Sequence, residues 1–164
     1  MKLKNVLVVY MRSSLPNHKK TCDIVRHVLK KNKIKAKFMR RRDNMDKEIF
    51  MNHDLILVIG GDGSFLRVTH HMTQHIPLLG INSDVKKKEG FFMRANMSDF
   101  ESKFKKILSG KFRTIELPRL HTIINKKIID DFALNEIYIG QKKAYKVARF
   151  TMKIGKKQEF QKVC

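Results

Sequence analysis

Leu55-Ile56-Leu57-Val58-Ile59-Gly60-Gly61-Asp62-Gly63-Ser64 is an apolar run that ends in a glycine-rich turn, and a helical pattern opens behind it at Phe65. An apolar run with no polar alternation fits a strand covered on both faces, as in a parallel sheet. Two glycines let the backbone turn sharply after such a strand and bring its N–H groups close to a phosphate. The carboxylate of Asp62 then stands at the mouth of that cradle. An acid beside bound anions only repels them unless it has a task, and accepting a proton from an attacking hydroxyl is a suitable one. The plainer alternative is a structural turn in which Asp62 caps the following helix.

Outward from this turn, strands and helices alternate. Val6, Leu7, Val8 and Val9 make Lys4 to Tyr10 a buried strand. Cys22, Val25, Val28 and Leu29 recur at three- and four-residue steps within Asn17 to Lys31, the mark of an amphipathic helix. Ile34 to Met39 alternates as a second strand, and Asp54 to Ile59 is the third. Downstream, Phe65, Val68, Thr69 and Met72 form a helical stripe, Pro77 to Asn82 a short strand, and Phe100, Phe104, Ile107 and Leu108 another stripe. Such alternation predicts a parallel sheet with right-handed crossovers and a ligand crevice at the carboxyl ends of its strands. Gly60 to Gly63 and Gly80 to Asn82 should face that crevice together.

After Gly110 the texture changes to alternation at Leu120 to Ile124, Phe132 to Ile139 and Ala148 to Ile154. Turn signals lie at Asn125 to Lys127, Gly140 to Lys143 and Gly155 to Lys157, and a last strand starts at Phe160. This is half-buried antiparallel sheet. The expected organisation is an α/β class, with a parallel Rossmann-like nucleotide-binding domain over residues 1–110 and the first antiparallel strands of an incomplete β-domain over 111–164. An unfinished sheet leaves an unpaired edge and exposed residues such as Phe150 and Met152, a surface for homo-oligomer formation or aggregation.

Among the blocks just described, Gly60-Gly61-Asp62-Gly63 after a buried strand, Pro77-Leu78-Leu79-Gly80-Ile81-Asn82 one helix later, and Ala133-Leu134-Asn135-Glu136 on a later strand give the chain a pattern that resembles the NAD kinase family. Ser83-Asp84 and Lys88-Glu89-Gly90 look closest to the mitochondrial-type members. The resemblance implies phosphoryl transfer from ATP or polyphosphate to the adenosine ribose 2′-hydroxyl of NAD, with Mg2+ carried by the ATP. It implies Asp62 as general base, and Gly60, Gly61, Gly63 and Ser64 as the loop lining the phosphates. Asn82 belongs to the second block, Asn135 and Glu136 match the pair that holds ribose hydroxyls, and Phe91 falls where a ring stacks on a base. The family also carries a Gly-Thr-Gly-Ser-Thr-type segment and most of a β-domain beyond the position of Cys164, so a chain lacking them leaves activity open. Two other readings stay open: a non-catalytic nucleotide- or nucleic-acid-binding module, and a lipid kinase of the diacylglycerol kinase type. The latter asks for a Thr and an Asn-Glu pair where this chain has Ser64-Phe65-Leu66-Arg67.

The 164 residues carry 36 Lys and Arg against 15 Asp and Glu, a formal charge of +21. The lysines are spread from Lys2 to Lys162 without forming one stripe, which disfavours a dedicated nucleic-acid face and suits phosphorylated small ligands equally well. Cys22 and Cys164 have no metal-like or redox-like spacing, so the expected compartment is reducing: the cytoplasm, or the mitochondrial matrix in a eukaryote. The apolar run after Met1 is shorter than the roughly 7–15 residues of a signal peptide and no small-residue cleavage site follows. Nothing is long enough to span a bilayer, so no membrane partner is expected. His71 and His75 are spaced to clip a metal from a helix, but no third ligand lies nearby in sequence and no metal site is assigned. Arg40-Arg41-Arg42 reads as a solvated loop or a phosphate contact.

Overall fold

A computed structural model describes all residues except 1, 2, 43, 44, 144 and 164. Its centre is a five-stranded parallel sheet in the order β2-β1-β3-β4-β5, formed by Asn5–Tyr10 (β1), Lys35–Arg40 (β2), Leu55–Gly60 (β3), Leu78–Asn82 (β4) and Met93–Asn96 (β5). Helices Pro16–Lys31 (α1), Asp62–His71 (α2) and Phe100–Leu108 (α3) cover it. The expected α/β class with a Rossmann-like parallel sheet is therefore present, followed by two antiparallel strand pairs.

β3 is buried along its whole length, as its continuous apolar run requires. Its alternate side chains feed two cores. Leu55, Leu57 and Ile59 join Val25, Leu29, Phe100 and Phe104 on the side of α1 and α3. Ile56 and Val58 join Phe65, Val68 and Met72 on the side of α2. Asp54 ties the start of β3 to its neighbour, because its Oδ2 accepts from the backbone N–H groups of Lys4 (2.6 Å) and Asn5 (2.8 Å).

Strand order reverses at β1: the chain goes to β2 on one side and to β3, β4 and β5 on the other. The gap beyond the carboxyl ends of β1 and β3 is the switch point where sheets of this kind bind ligands. Tyr10 and Gly60 end the two strands there.

Beyond α3, Leu120–Ile124 (β6) pairs with Lys127–Ala133 (β7), and Ala148–Ile154 (β8) with Lys157–Val163 (β9), each as a separate two-stranded sheet. Three sequence expectations change here. The strand expected over Phe132 to Ile139 stops at Ala133, so Asn135 and Glu136 lie in an irregular segment and not on a strand. β9 is already a seven-residue hairpin partner of β8, not a strand beginning at Phe160. The α2 helix starts at Asp62, three residues before the helical stripe becomes visible at Phe65, and it ends at His71. His75 therefore lies outside it, and the helical His71/His75 spacing does not exist. Among the described residues no group of three His, Cys, Asp or Glu side chains is placed to hold a metal, and no helix is long and apolar enough to cross a membrane.

Candidate functional site

Gly60 closes β3, Gly61 is the N-cap of α2, and Asp62 and Gly63 form the helix's first turn. Gly61 is extended and has no side chain to cap the helix; its carbonyl accepts from the N–H groups of Ser64 (2.8 Å) and Phe65 (3.2 Å), which leaves the amides of Asp62 and Gly63 without a cap. These amides and the helix field favour an anion.

The glycines serve different purposes. A Cβ on Gly60 would stand 2.5 Å from Ser64 Oγ and 2.8 Å from Ser64 Cβ, so glycine here lets α2 pack on its own strand. A Cβ on Gly61 would meet the Lys88 stem at 2.8 Å. Gly63 has nothing within 4 Å of that position and is exposed. Ser64 is 5 % exposed and faces Gly60, so its hydroxyl belongs to the strand–helix contact and does not line an open cradle.

Asp62 is half-buried, and its carboxylate is engaged. Oδ2 accepts from the N–H of Gly90 and Phe91, both at 3.0 Å, and Oδ1 from Phe92 N–H at 2.8 Å. A carboxylate offers about four acceptor sites; among the described residues three are filled, which leaves one on Oδ1. Asp62 thus holds the segment after β4 against the start of α2, a link that its sequence position did not disclose. Its carboxylate is engaged, and the N-cap of α2 is Gly61.

Asn82 is buried at 6 % exposure and organises the same loop. Its Nδ2 donates to Lys88 O (3.1 Å) and its Oδ1 accepts from Asp84 N–H (3.0 Å). A Cβ on Gly90 would collide with the Asn82 amide, and Gly90 also has φ +75°, so glycine is required there twice over. Phe91 projects from this loop at 72 % exposure, whereas Phe92 stacks on Phe65 at 5.3 Å. Of the adjacent pair, Phe92 is the core residue and Phe91 is free to meet a ligand. Asn135 and Glu136 are exposed. Their neighbour Leu134 packs against the cluster containing Phe65, Phe92 and Met93, which brings their segment to the α2 side of the sheet.

Several groups at the switch point were given no role by the reading of the sequence, the Arg40–Arg42 run excepted. Lys88 Nζ donates to Ser83 Oγ at 2.9 Å and lies 3.6 Å from Met11 Sδ, while Ser83 Oγ donates to Gly60 O at 3.2 Å. Burial pulls the Lys88 pKa below the ordinary lysine value, with Asp84 acting the other way. His18 is buried, its Nδ1 has no hydrogen-bond partner among the described residues, and its pKa falls below 6.5 through burial and then through the charge of Lys88. Arg41 Nη1 is 3.4 Å from Gly63 O, so the middle of the Arg40–Arg42 run reaches the start of α2. The signal for Arg41 was its position directly after β2, a strand that ends at the same edge as the glycine turn. A roughly 300 Å3 cleft beside these groups is lined by Tyr10, Arg12, His18 and Arg40.

The family model for the ATP-NAD kinase N-terminal domain matches residues 2–112. The chain belongs to the NAD kinase family. A probable NADH kinase from Oryza sativa subsp. japonica is 28 % identical over 151 residues, covering 83 % of this chain and 46 % of that protein. An NAD kinase from Acetivibrio thermocellus is 32 % identical over 102 residues, covering 60 % of this chain and 34 % of its own length. In three dimensions, an NAD kinase from Archaeoglobus fulgidus solved in complex with ATP superposes with a TM-score of 0.67 at 24 % identity, covering 90 % of this chain and 52 % of that one. The last comparison concerns the fold. The chain spans about half the length of the Oryza sativa relative.

Proposed function

We propose that the chain acts as an NAD kinase, transferring the terminal phosphoryl group of ATP or polyphosphate to the 2′-hydroxyl of the adenosine ribose of NAD. The observation that carries this reading is the place of Asp62: first turn of α2, carboxyl edge of the sheet, one acceptor site unfilled. Family membership supports it, as do relatives named NAD and NADH kinases and the ATP held by the Archaeoglobus protein.

In this reading Asp62 Oδ1 takes the hydroxyl proton as the ribose oxygen bonds to phosphorus, and the bond from phosphorus to the bridging oxygen breaks, releasing ADP or the shortened polyphosphate. Magnesium arrives with the donor as part of the substrate. Phosphoryl transfer demands alignment and charge neutralisation more than covalent work. The uncapped amides of Asp62 and Gly63 at the start of α2, beside Gly60, Gly61 and the packed Ser64, donate to the phosphates. Asn82 fixes the loop that presents Phe91, whose exposed ring stacks on a base. Asn135 and Glu136 supply hydrogen bonds to ribose hydroxyls from their exposed segment.

The three amide bonds to Asp62 favour a second reading, in which this side chain only ties the loop and the chain binds nucleotide without turning it over. NAD and magnesium-ATP given to the purified protein separate the two. NADP formation that Asp62→Asn abolishes supports the kinase, steady formation by the variant removes the base assignment, and ATP binding with no NADP from either protein supports the binding module.

A further inference from the structure

Lys88 is a charge of the crevice that phosphoryl transfer, as described, does not employ. Lys86, Lys87 and Lys88 form a run after β4, and the first two are exposed while Lys88 turns inward. Its stem lies along the Gly60–Gly61 bend, as the 2.8 Å and 3.4 Å approaches of Cδ and Cγ to the Gly61 Cβ position record. Its ammonium reaches the switch point, where a hydroxyl (Ser83, 2.9 Å) and a thioether (Met11, 3.6 Å) are its polar contacts. An ammonium has three donors and a thioether is a weak acceptor. No carboxylate among the described residues lies within ion-pair distance of it; Asp84 acts on it from farther off and His18 is the other titratable group that feels its charge. A cation drawn out of water without an anion in contact is costly, and burial lowers its pKa more than Asp84 raises it. Such a group is stabilised when an anion comes to it. The neighbours agree: the uncapped amides of α2 begin one residue past the bend, and Arg41 reaches the same helix start.

We propose that Lys88 grips the polyphosphate chain of the phosphoryl donor, drawing it across the Gly60–Gly61 bend toward the first amides of α2. The inference rests on reading this crevice as a phosphoryl-transfer site. Lys88 forms no covalent bond and stays protonated throughout; it exchanges Ser83 Oγ for phosphate oxygens and neutralises charge that grows on the leaving group. The ligand chemistry is a chain of phosphates, whether borne by a nucleoside or inorganic.

The test is calorimetric titration of the whole chain, without NAD, using ATP and inorganic tripolyphosphate as separate probes. Lys88→Met is expected to weaken both probes by about tenfold or more, the scale of one lost charge-assisted contact. Lys88→Arg should restore most of the affinity, and Lys86→Met, in the exposed part of the same run, should leave it within about twofold of wild type. In the wild type, affinity should fall as alkaline pH deprotonates Lys88, and Lys88→Arg should lack that fall. This last readout is one a merely structural lysine does not move, and it stands even if Lys88→Met fails to fold. Equal binding by a folded Lys88→Met, loss of ATP affinity alone with tripolyphosphate unaffected, or a wild type that binds neither probe overturns the proposal. A wild type that binds both probes through Lys88 but makes no NADP keeps the Lys88 assignment and removes the kinase reading.

Discussion

Asp62 occupies a position that the helix field favours for any acid, so its location alone does not separate a base from a latch. Its three amide bonds make both roles measurable. Asp62→Asn keeps the shape but replaces one accepting oxygen by a donor, so at least one of the amides of Gly90, Phe91 and Phe92 loses its partner. The variant should be destabilised by about 1–3 kcal/mol, with hydrogen exchange accelerating at those amides first, while kcat falls about 10²- to 10⁴-fold if Asp62 is the base. The glycines on either side part company in the same way. Gly60→Ala forces a methyl onto Ser64 and should cost about 1–3 kcal/mol in chemical denaturation. Gly63→Ala meets open space inside a helix and should be neutral or stabilising by up to about 1 kcal/mol. A sequence reading treats all four residues of Gly60-Gly61-Asp62-Gly63 as one phosphate loop, because it sees a pattern and not the side chain facing each Cα.

At the scale of elements, periodic segments were legible, the hairpin strands β6 and β8 among them, and short or irregular ones were not. Buried runs and three-to-four spacing locate β1, α1, β3, α2, β4 and α3 to within a few residues, since each carries its own apolar face. β5 went unread because Met93 to Asn96 offers only two inward positions, Met93 and Ala95. Residues 134 to 139 read as strand from Ile137 and Ile139, yet among the described residues no strand pairs with them, and strand preference is realised only through pairing. α1 carries a consequence that its own periodicity hides. His18 is buried near the start of this helix, 3.6 Å from Cys22 Sγ, under the charge of Lys88. Its folded pKa lies below the 6.5 of an unfolded histidine. As pH drops through 6.5 the unfolded chain takes up a proton that the folded chain resists, so stability is full above that value and declines until the folded pKa is passed. Melting temperature should therefore fall between neutral and mildly acidic pH, and His18→Gln should flatten that slope; an unchanged slope would exonerate His18.

For the molecule as a whole, composition spoke of charge but not of where apolar surface remains. The parallel sheet absorbs its apolar residues into two cores, whereas the hairpins leave Ile123, Ile128, Ile154 and Phe160 more than half exposed. An isolated two-stranded hairpin is marginal in water, and β6–β7 is steadied by contacts that β8–β9 lacks among those described. Arg119 donates to Thr69 O (2.8 Å) and Met72 O (2.6 Å) at the end of α2, and Lys47 donates to Asp130 O (2.9 Å). Such surface promotes association between copies, and a net charge of +21 opposes it. The two effects respond differently to salt. Screening length shrinks from about 30 Å at 0.01 M to about 8 Å at 0.15 M, which removes repulsion between copies and within each one but leaves apolar attraction intact. Raising salt should therefore increase the melting temperature of dilute protein while shifting sedimentation at higher concentration toward larger species. Ile154→Lys with Phe160→Lys should suppress the second effect and spare the first, because both positions lie on β8–β9, away from either core. Association that persists in the double variant would place the sticky surface elsewhere than on this hairpin.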